Sequence, residues 1–176
     1  PLRFKRIPVE DTEYGIPFFG TSAMMWIDPQ PTYHLPRRMV GIDNYLVDER
    51  TVLIPRSGQL NGVIGTAVLP IGSLIGGAIT EDAIRLNCKT GTDAGYLLIA
   101  LRSDYGMRQV KARAFGSSIP HLNVDQIGRV IIPELDGDAR LEIGTKGART
   151  AQLRNEAIQL EYEATKIVER TIEGFA

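Results

Sequence analysis

The sequence predicts an α+β fold: a small mixed domain with a twisted, mainly antiparallel sheet and short helices, followed by a long C-terminal helix of coiled-coil type. Three observations predict it. Between residues 51 and 87, short β-rich runs are punctuated by glycines and prolines, as in strands joined by tight turns. Apolar positions then take up helical spacing between residues 94 and 112. After Pro133 no proline occurs, and helix formers dominate from about Asp138 to Glu173. These textures divide the chain into a globular domain over 1–137 and a helix over 138–176.

The first fifty residues are expected to be irregular. Pro8, Pro17, Pro29, Pro31 and Pro36 interrupt regular elements there, and Gly15, Gly20 and Gly41 mark turns. Strands are predicted at 51–54, 63–69, 73–79 and 83–87, separated by Gly58, Gly62, Gly65, Gly72 and the Gly76–Gly77 pair. A helix fits 94–102, capped by Thr92 or Asp93, with Tyr96, Leu97, Ala100 and Leu101 on one face. A second helix runs over 105–112 behind Asp104 and ends in a loop at 115–120. Asn123 with Gln126 three residues later has the form of a capping box. A last strand is predicted at 129–132, closed by Pro133.

In the tail, Leu153, Ala157, Leu160, Ala164 and Ile167 follow 4-3-4-3 spacing, the seam by which one helix packs on another. Ile158, Val168 and Ile172 widen it on one flank. A continuous helix would be about 50 Å long at roughly 1.5 Å per residue, more than one small domain can cover. Gly144 and Gly147 each weaken a helix by about 1 kcal/mol relative to Ala, so a break is expected near them. Two readings stand: a terminal helix folded back on its own domain, or a seam reserved for a second helix elsewhere in the parent chain or in a partner.

The formal net charge is −1, and residues 1–137 carry 14 Lys/Arg against 14 Asp/Glu. A nucleic-acid surface must therefore be a local patch, because the whole chain does not attract phosphate. The best candidate is 102–113, where Arg102, Arg108, Lys111 and Arg113 face only Asp104. Arg37, Arg38 and Arg56 are smaller candidates.

Several function classes are excluded. No apolar stretch reaches the roughly 18 residues of a membrane helix, so no membrane association is expected. Cys88 is the single cysteine, which leaves no intrachain disulfide and no Cys-based zinc site and suits a reducing, cytoplasmic setting. The chain opens at Pro1 without an initiator Met or a secretion signal and reads as a piece of a longer one. There is no phosphate loop, since Gly144, Thr145 and Lys146 lack the upstream glycine and strand. Arg56, Ser57 and Gly58 form no nucleophile elbow, and His34 and His121 have no ligand-spaced companions. Asp28, Pro29, Gln30 and Pro31 lack the adjacent second proline and the aromatic of an adenine methyltransferase motif. Glu134, Asp136 and Asp138 precede the long helix, where negative charge favours its N-terminus. No catalytic residue, metal or cofactor is predicted.

Five stretches together resemble one family. Tyr14, Gly15, Ile16, Pro17 and Phe18 resemble the Gly-(Ile/Val)-Pro-(Phe/Tyr) opening of target recognition domains in type I restriction–modification specificity subunits. TVLIPRSG at 51–58 is similar to their strand-and-turn, and GYLLIALRS at 95–103 to their first helix. GSSIPHL at 116–122, followed by Ile127 and the run at 130–133, resembles their passage out of the globular domain. AQLRNEA at 151–157 resembles their spacer helix, although Gly144 and Gly147 interrupt a stretch that is usually unbroken.

The resemblance implies a non-catalytic module that reads one half of a split double-stranded DNA target. Helical spacers would fix its distance from a second such module and bind an adenine methyltransferase subunit, with a restriction (translocase) subunit joining indirectly. Self-association through the tail is a further expectation. Base edges are read chiefly by Arg, Lys, Asn and Gln, while phosphate contacts supply most of the affinity. The DNA-binding candidates are Arg37, Arg38, Arg56, Gln59, Asn61, Arg108, Lys111 and Arg113. The 108–113 cluster is expected to hold phosphates, and Arg56 with Gln59 or Asn61 to read a base. Alternatives are the recognition region of a single-chain restriction–methylation enzyme, a nuclease fragment, or a helix-mediated interaction module.

Overall fold

The computed structural model describes residues 6–10 and 12–174. The apolar runs of the first half settle into two small sheets. β1 (Gly15–Phe19) pairs antiparallel with β2 (Tyr33–Pro36), Phe18 opposite Tyr33, and parallel with β4 (Ala78–Ile79). β3 (Thr51–Pro55) pairs antiparallel with β5 (Ala83–Asn87), Ile54 opposite Ile84. The first fifty residues are thus less irregular than their prolines suggest. Ile16, Phe18 and Phe19 flank Pro17 and are all buried, so tertiary burial overrides the local preference.

Two predicted strands do not form as such. Only Val68 of the 63–69 run joins a sheet, in a single bridge to Leu53, and of the 73–79 run only Ala78 and Ile79 do, as β4, after a 3-10 turn at 72–74. Gly65, Gly72 and Gly76 hold φ of +89°, +54° and +78°, left-handed conformations that interrupt a ladder and favour glycine.

Every residue of β3 is buried, because its two faces serve different clusters. Val52 and Ile54 pack with Ile84, Leu98, Leu101 and Val110, whereas Leu53 joins Phe19, Leu74 and Ile79. Phe18, Leu35, Ile42 and Tyr45 pack together under the first sheet.

α1 (Gly91–Arg102) is capped by Thr90, two residues before the earlier predicted cap, and α2 (Asp104–Ala112) by Ser103. At α3 (Val124–Gly128) the predicted capping box forms: Gln126 N donates to Asn123 Oδ1 and Asn123 N to Gln126 Oε1, both at 2.8 Å. The run at 129–132 is not a strand: Arg129 turns at the end of α3, and 130–132 take no regular structure. A side-chain amide takes the place of a neighbouring strand: Gln109 Nε2 donates to Ile131 O at 3.0 Å, and Ile131 N donates to Gln109 Oε1 at 2.9 Å.

α4 (Gly137–Glu173) runs 37 residues without the expected break, about 55 Å at 1.5 Å per residue. Gly144 and Gly147 are its buried residues, and they mark its crossing with α1. A Cβ on Gly95 would lie 2.1 Å from Gly144 O, one on Gly144 2.4 Å from Thr92 O, and one on Gly147 2.3 Å from Gly95 O. Only glycine lets these backbones touch, and the contact offsets the helix propensity it sacrifices. An Arg140–Asp93 ion pair at 2.8 Å and the hydrogen bond from Gly72 N to Asn155 Oδ1 at 2.9 Å extend the docking.

The inward stripe is therefore Gly144, Gly147, Ala148, Ala151, Asn155 and Ile158, all buried or half-buried. At 3.6 residues per turn, the seam of Leu153, Ala157, Leu160, Ala164 and Ile167 lies on the opposite side of α4. All five are exposed, Leu160 and Ile167 each at 65%. The helix folds back on its own domain, but by small residues and on the other face.

Candidate nucleic-acid interface

The candidate surface begins where β3 ends. Arg56 N donates to Asp82 O at 2.8 Å, and Leu122 N donates to Arg56 O at 2.7 Å, so the backbone at Arg56 is locked on both sides. The chain then makes a glycine-rich turn over 57–65. Gly58 N donates to Pro120 O at 3.2 Å, and Gly62 N to Gln59 O at 2.9 Å. Gln59, Leu60 and Asn61 are exposed on this turn.

The turn rests on α2. A Cβ on Gly65 would lie 3.0 Å from Lys111 Cγ and 3.1 Å from Lys111 Cε, so the Lys111 stem runs over the turn. A third segment closes the surface. Phe115 and His121 exchange backbone hydrogen bonds at 3.0 and 2.7 Å, and Ser57 bridges His121. This leaves Phe115, Ser117, Ser118 and Ile119 exposed. The turn at 57–65, α2 and the loop at 115–121 thus form one continuous surface.

The structure sorts the predicted residues. Arg108 is exposed, and neither its side chain nor that of Lys111 makes a hydrogen bond or ion pair with the described residues. Arg113 differs: its Nη1 donates to Gln109 O at 2.8 Å and its Nη2 to Arg129 O at 2.9 Å, which ties the end of α2 to the segment after α3. Arg37 and Arg38 follow β2 on the other sheet, exposed beside Val9 and Tyr14. They lie apart from the elements that bring the other six together.

One cation escaped the sequence reading. Arg85 sits in β5, half-buried, with its guanidinium carbon 4.9 Å above the Tyr45 ring. With Arg56, Asn123 and Asp125 it lines a crevice of about 310 Å³. Burial pushes the Arg85 guanidinium below its ordinary value, against the pull of Tyr45 and Glu81. A charged residue inside the apolar run of β5 was the available signal. Glu81, buried nearby, is paired with Arg6.

Among the described residues no group of three His, Cys, Asp or Glu is placed to hold a metal ion. Burial, with Asp93 adding to it, raises the Cys88 thiol and so keeps it protonated and poorly nucleophilic. No described helix is long and apolar enough to cross a membrane.

No protein-family model and no curated protein matches the chain. Among solved structures it is similar to one described as the crystal structure of a Type-I restriction-modification system S subunit from M. genitalium, with a TM-score of 0.49 and 13% identity. The similarity covers 81% of this chain and 34% of that one, so the chain spans about a third of that protein's length. Likeness of this degree fixes neither family nor function.

Proposed function

We propose that the chain is a non-catalytic, cytoplasmic DNA-recognition module of a type I restriction–modification complex. Residues 1–137 read one half of a split double-stranded target. Residues 138–176 act as a spacer whose seam takes a helix of the adenine methyltransferase subunit or of a second copy, with the restriction subunit joining indirectly. The observation that carries this reading is the meeting of the turn at 57–65 with α2 at Gly65 and Lys111. Exposed Gln59 and Asn61, groups that pair with base edges, stand on that turn, and the cations Lys111 and Arg108 on α2. The five sequence motifs add support, falling in order on β1, on β3 and its turn, on α1, on the approach to α3, and on α4.

The test is binding of the chain to duplex DNA and to single-base variants at two salt concentrations. A change at a read position is expected to cost about 1–3 kcal/mol. Removing a purely phosphate-bound cation is expected to weaken all sequences equally and lower the salt slope by about 1. Plasmid incubated with the pure chain, Mg²⁺ and S-adenosylmethionine is expected to stay uncut and unmethylated. Cleavage or methyl transfer overturns the reading. Absence of any duplex binding favours instead a helix-mediated interaction module, for which the exposed seam of α4 is the relevant observation.

A further inference from the structure

We infer that Arg56 and Arg85 form a phosphate pocket that takes one phosphodiester group of bound DNA, an inference that rests on the DNA-recognition reading for the source of the phosphate. The starting point is the alternation of β5. Ile84 and Leu86 pack into the cluster beneath α1, whereas Arg85 lies on the opposite side with Ala83. A core strand would carry an aliphatic residue there, because a half-buried guanidinium loses hydration that an anionic partner must replace.

No such partner is present among the described residues. Arg85 makes one long hydrogen bond, from Nη1 to Thr80 O at 3.4 Å, and no ion pair within salt-bridge range. A guanidinium has five N–H donors, so most of its capacity is unused. Glu81 exerts a Coulombic pull on it but is itself engaged by Arg6 and Thr80. Arg56 likewise has no side-chain hydrogen bond or ion pair with the described residues. Both side chains line the crevice of about 310 Å³ beside Asn123. Glu81 and Asp125 also line it; Arg6 pairs with Glu81, so the two guanidinium groups face one uncompensated carboxylate and leave the crevice positive.

The geometry of the neighbours points to a DNA backbone. Arg56 immediately precedes the turn that carries Gln59 and Asn61, and its carbonyl is bonded to Leu122 next to Asn123. A duplex read by that turn passes its backbone across the mouth of the crevice. Guanidinium forks match phosphate oxygens two at a time. This moves Arg56 from base reading to backbone contact and leaves Gln59 and Asn61 as the readers.

The experiment follows the arginine Nε–Hε resonances of the chain during titration with inorganic phosphate and, separately, with duplex DNA. It is paired with binding of Arg56→Gln, Arg85→Gln and the double variant. Expected are shifts at Arg56 and Arg85 but not at Arg170 with both titrants. Each single variant should lose binding about equally on preferred and scrambled duplexes, with the salt slope lower by about 1. The double variant should be no worse than the weaker single, since both groups serve one phosphate. Arg56→Gln keeps the test decisive if Arg85→Gln fails to fold. Undiminished affinity and salt slope in the variants, with the wild type binding duplex, overturn the pocket and leave the DNA reading standing. Shifts with free phosphate but no duplex binding overturn DNA as the source. No shift with either titrant overturns the pocket outright.

Discussion

Alanine at Gly147 should destabilise this protein, although alanine is the better helix former. On an exposed helix the exchange would stabilise by about 1 kcal/mol. Here the new Cβ would stand 2.3 Å from Gly95 O and 2.7 Å from Gly95 C. Both are backbone atoms of α1 and have no rotamer by which to withdraw. Ordinary contact begins at 3.4 Å, so α1 and α4 must part by about 1 Å, an overpacking that typically costs 1–3 kcal/mol. After subtracting the propensity gain, the net loss is roughly 0–2 kcal/mol, a fall in melting temperature of up to about 8 °C for a chain of this size, where an exposed site would gain stability. Gly137→Ala is the matched control, because it lies at the start of the same helix with nothing within 4 Å of the added carbon. Thermal and urea unfolding followed by circular dichroism compare the two. If Gly147→Ala stabilises as much as Gly137→Ala, the close crossing of α1 and α4 is wrong.

Three further outcomes are expected. Replacing Leu153, Leu160 and Ile167 by Glu should abolish helix-mediated association while leaving the melting transition intact, because these residues lie opposite the docked face; loss of cooperative unfolding would contradict this. Gln109→Ala removes both hydrogen bonds to Ile131 and should cost about 1–2 kcal/mol, with faster amide exchange at Ile131 as the specific readout. Burial opposes ionised Glu81, but bonds from its own backbone N–H and from Arg6 prevail and hold its carboxyl below the ordinary range. Its contribution is therefore present above about pH 4.3, the ordinary glutamate value, and is lost as pH falls through the lower folded value. A melting-temperature profile against pH should flatten in that acidic window in Glu81→Gln, and an unchanged slope would contradict the assignment.

What could be read from the sequence was what neighbouring residues decide among themselves. The capping box of Asn123 and Gln126 formed as its spacing predicts, and β3 and β5 arose where β-rich runs stood between turns. The proline-free tail became α4. What escaped depends on partners distant in sequence. Gly144 and Gly147 carry a helix penalty that is local, whereas the close approach that offsets it requires Gly95 on another helix. Pro17 obscured β1 because the burial of Phe18 and Phe19 is a property of the assembled core. Among the site residues, the chemistry of Arg113 was visible, but its commitment to the carbonyls of Gln109 and Arg129 was not. Arg85 went unnoticed because side-chain type alone does not tell a solvated arginine from one set into a crevice.

The central claim is that the turn at 57–65 and α2 together read DNA sequence. Selection of bound duplexes from a random pool tests it most directly, run in parallel on the wild type and on Gln59→Ala/Asn61→Ala. The account predicts that the wild type enriches a defined motif, and that the double variant, still folded, retains duplex binding but loses choice at one or more positions of that motif. Enrichment of the same motif by both proteins, or no enrichment by a folded wild type that binds duplex, would contradict it.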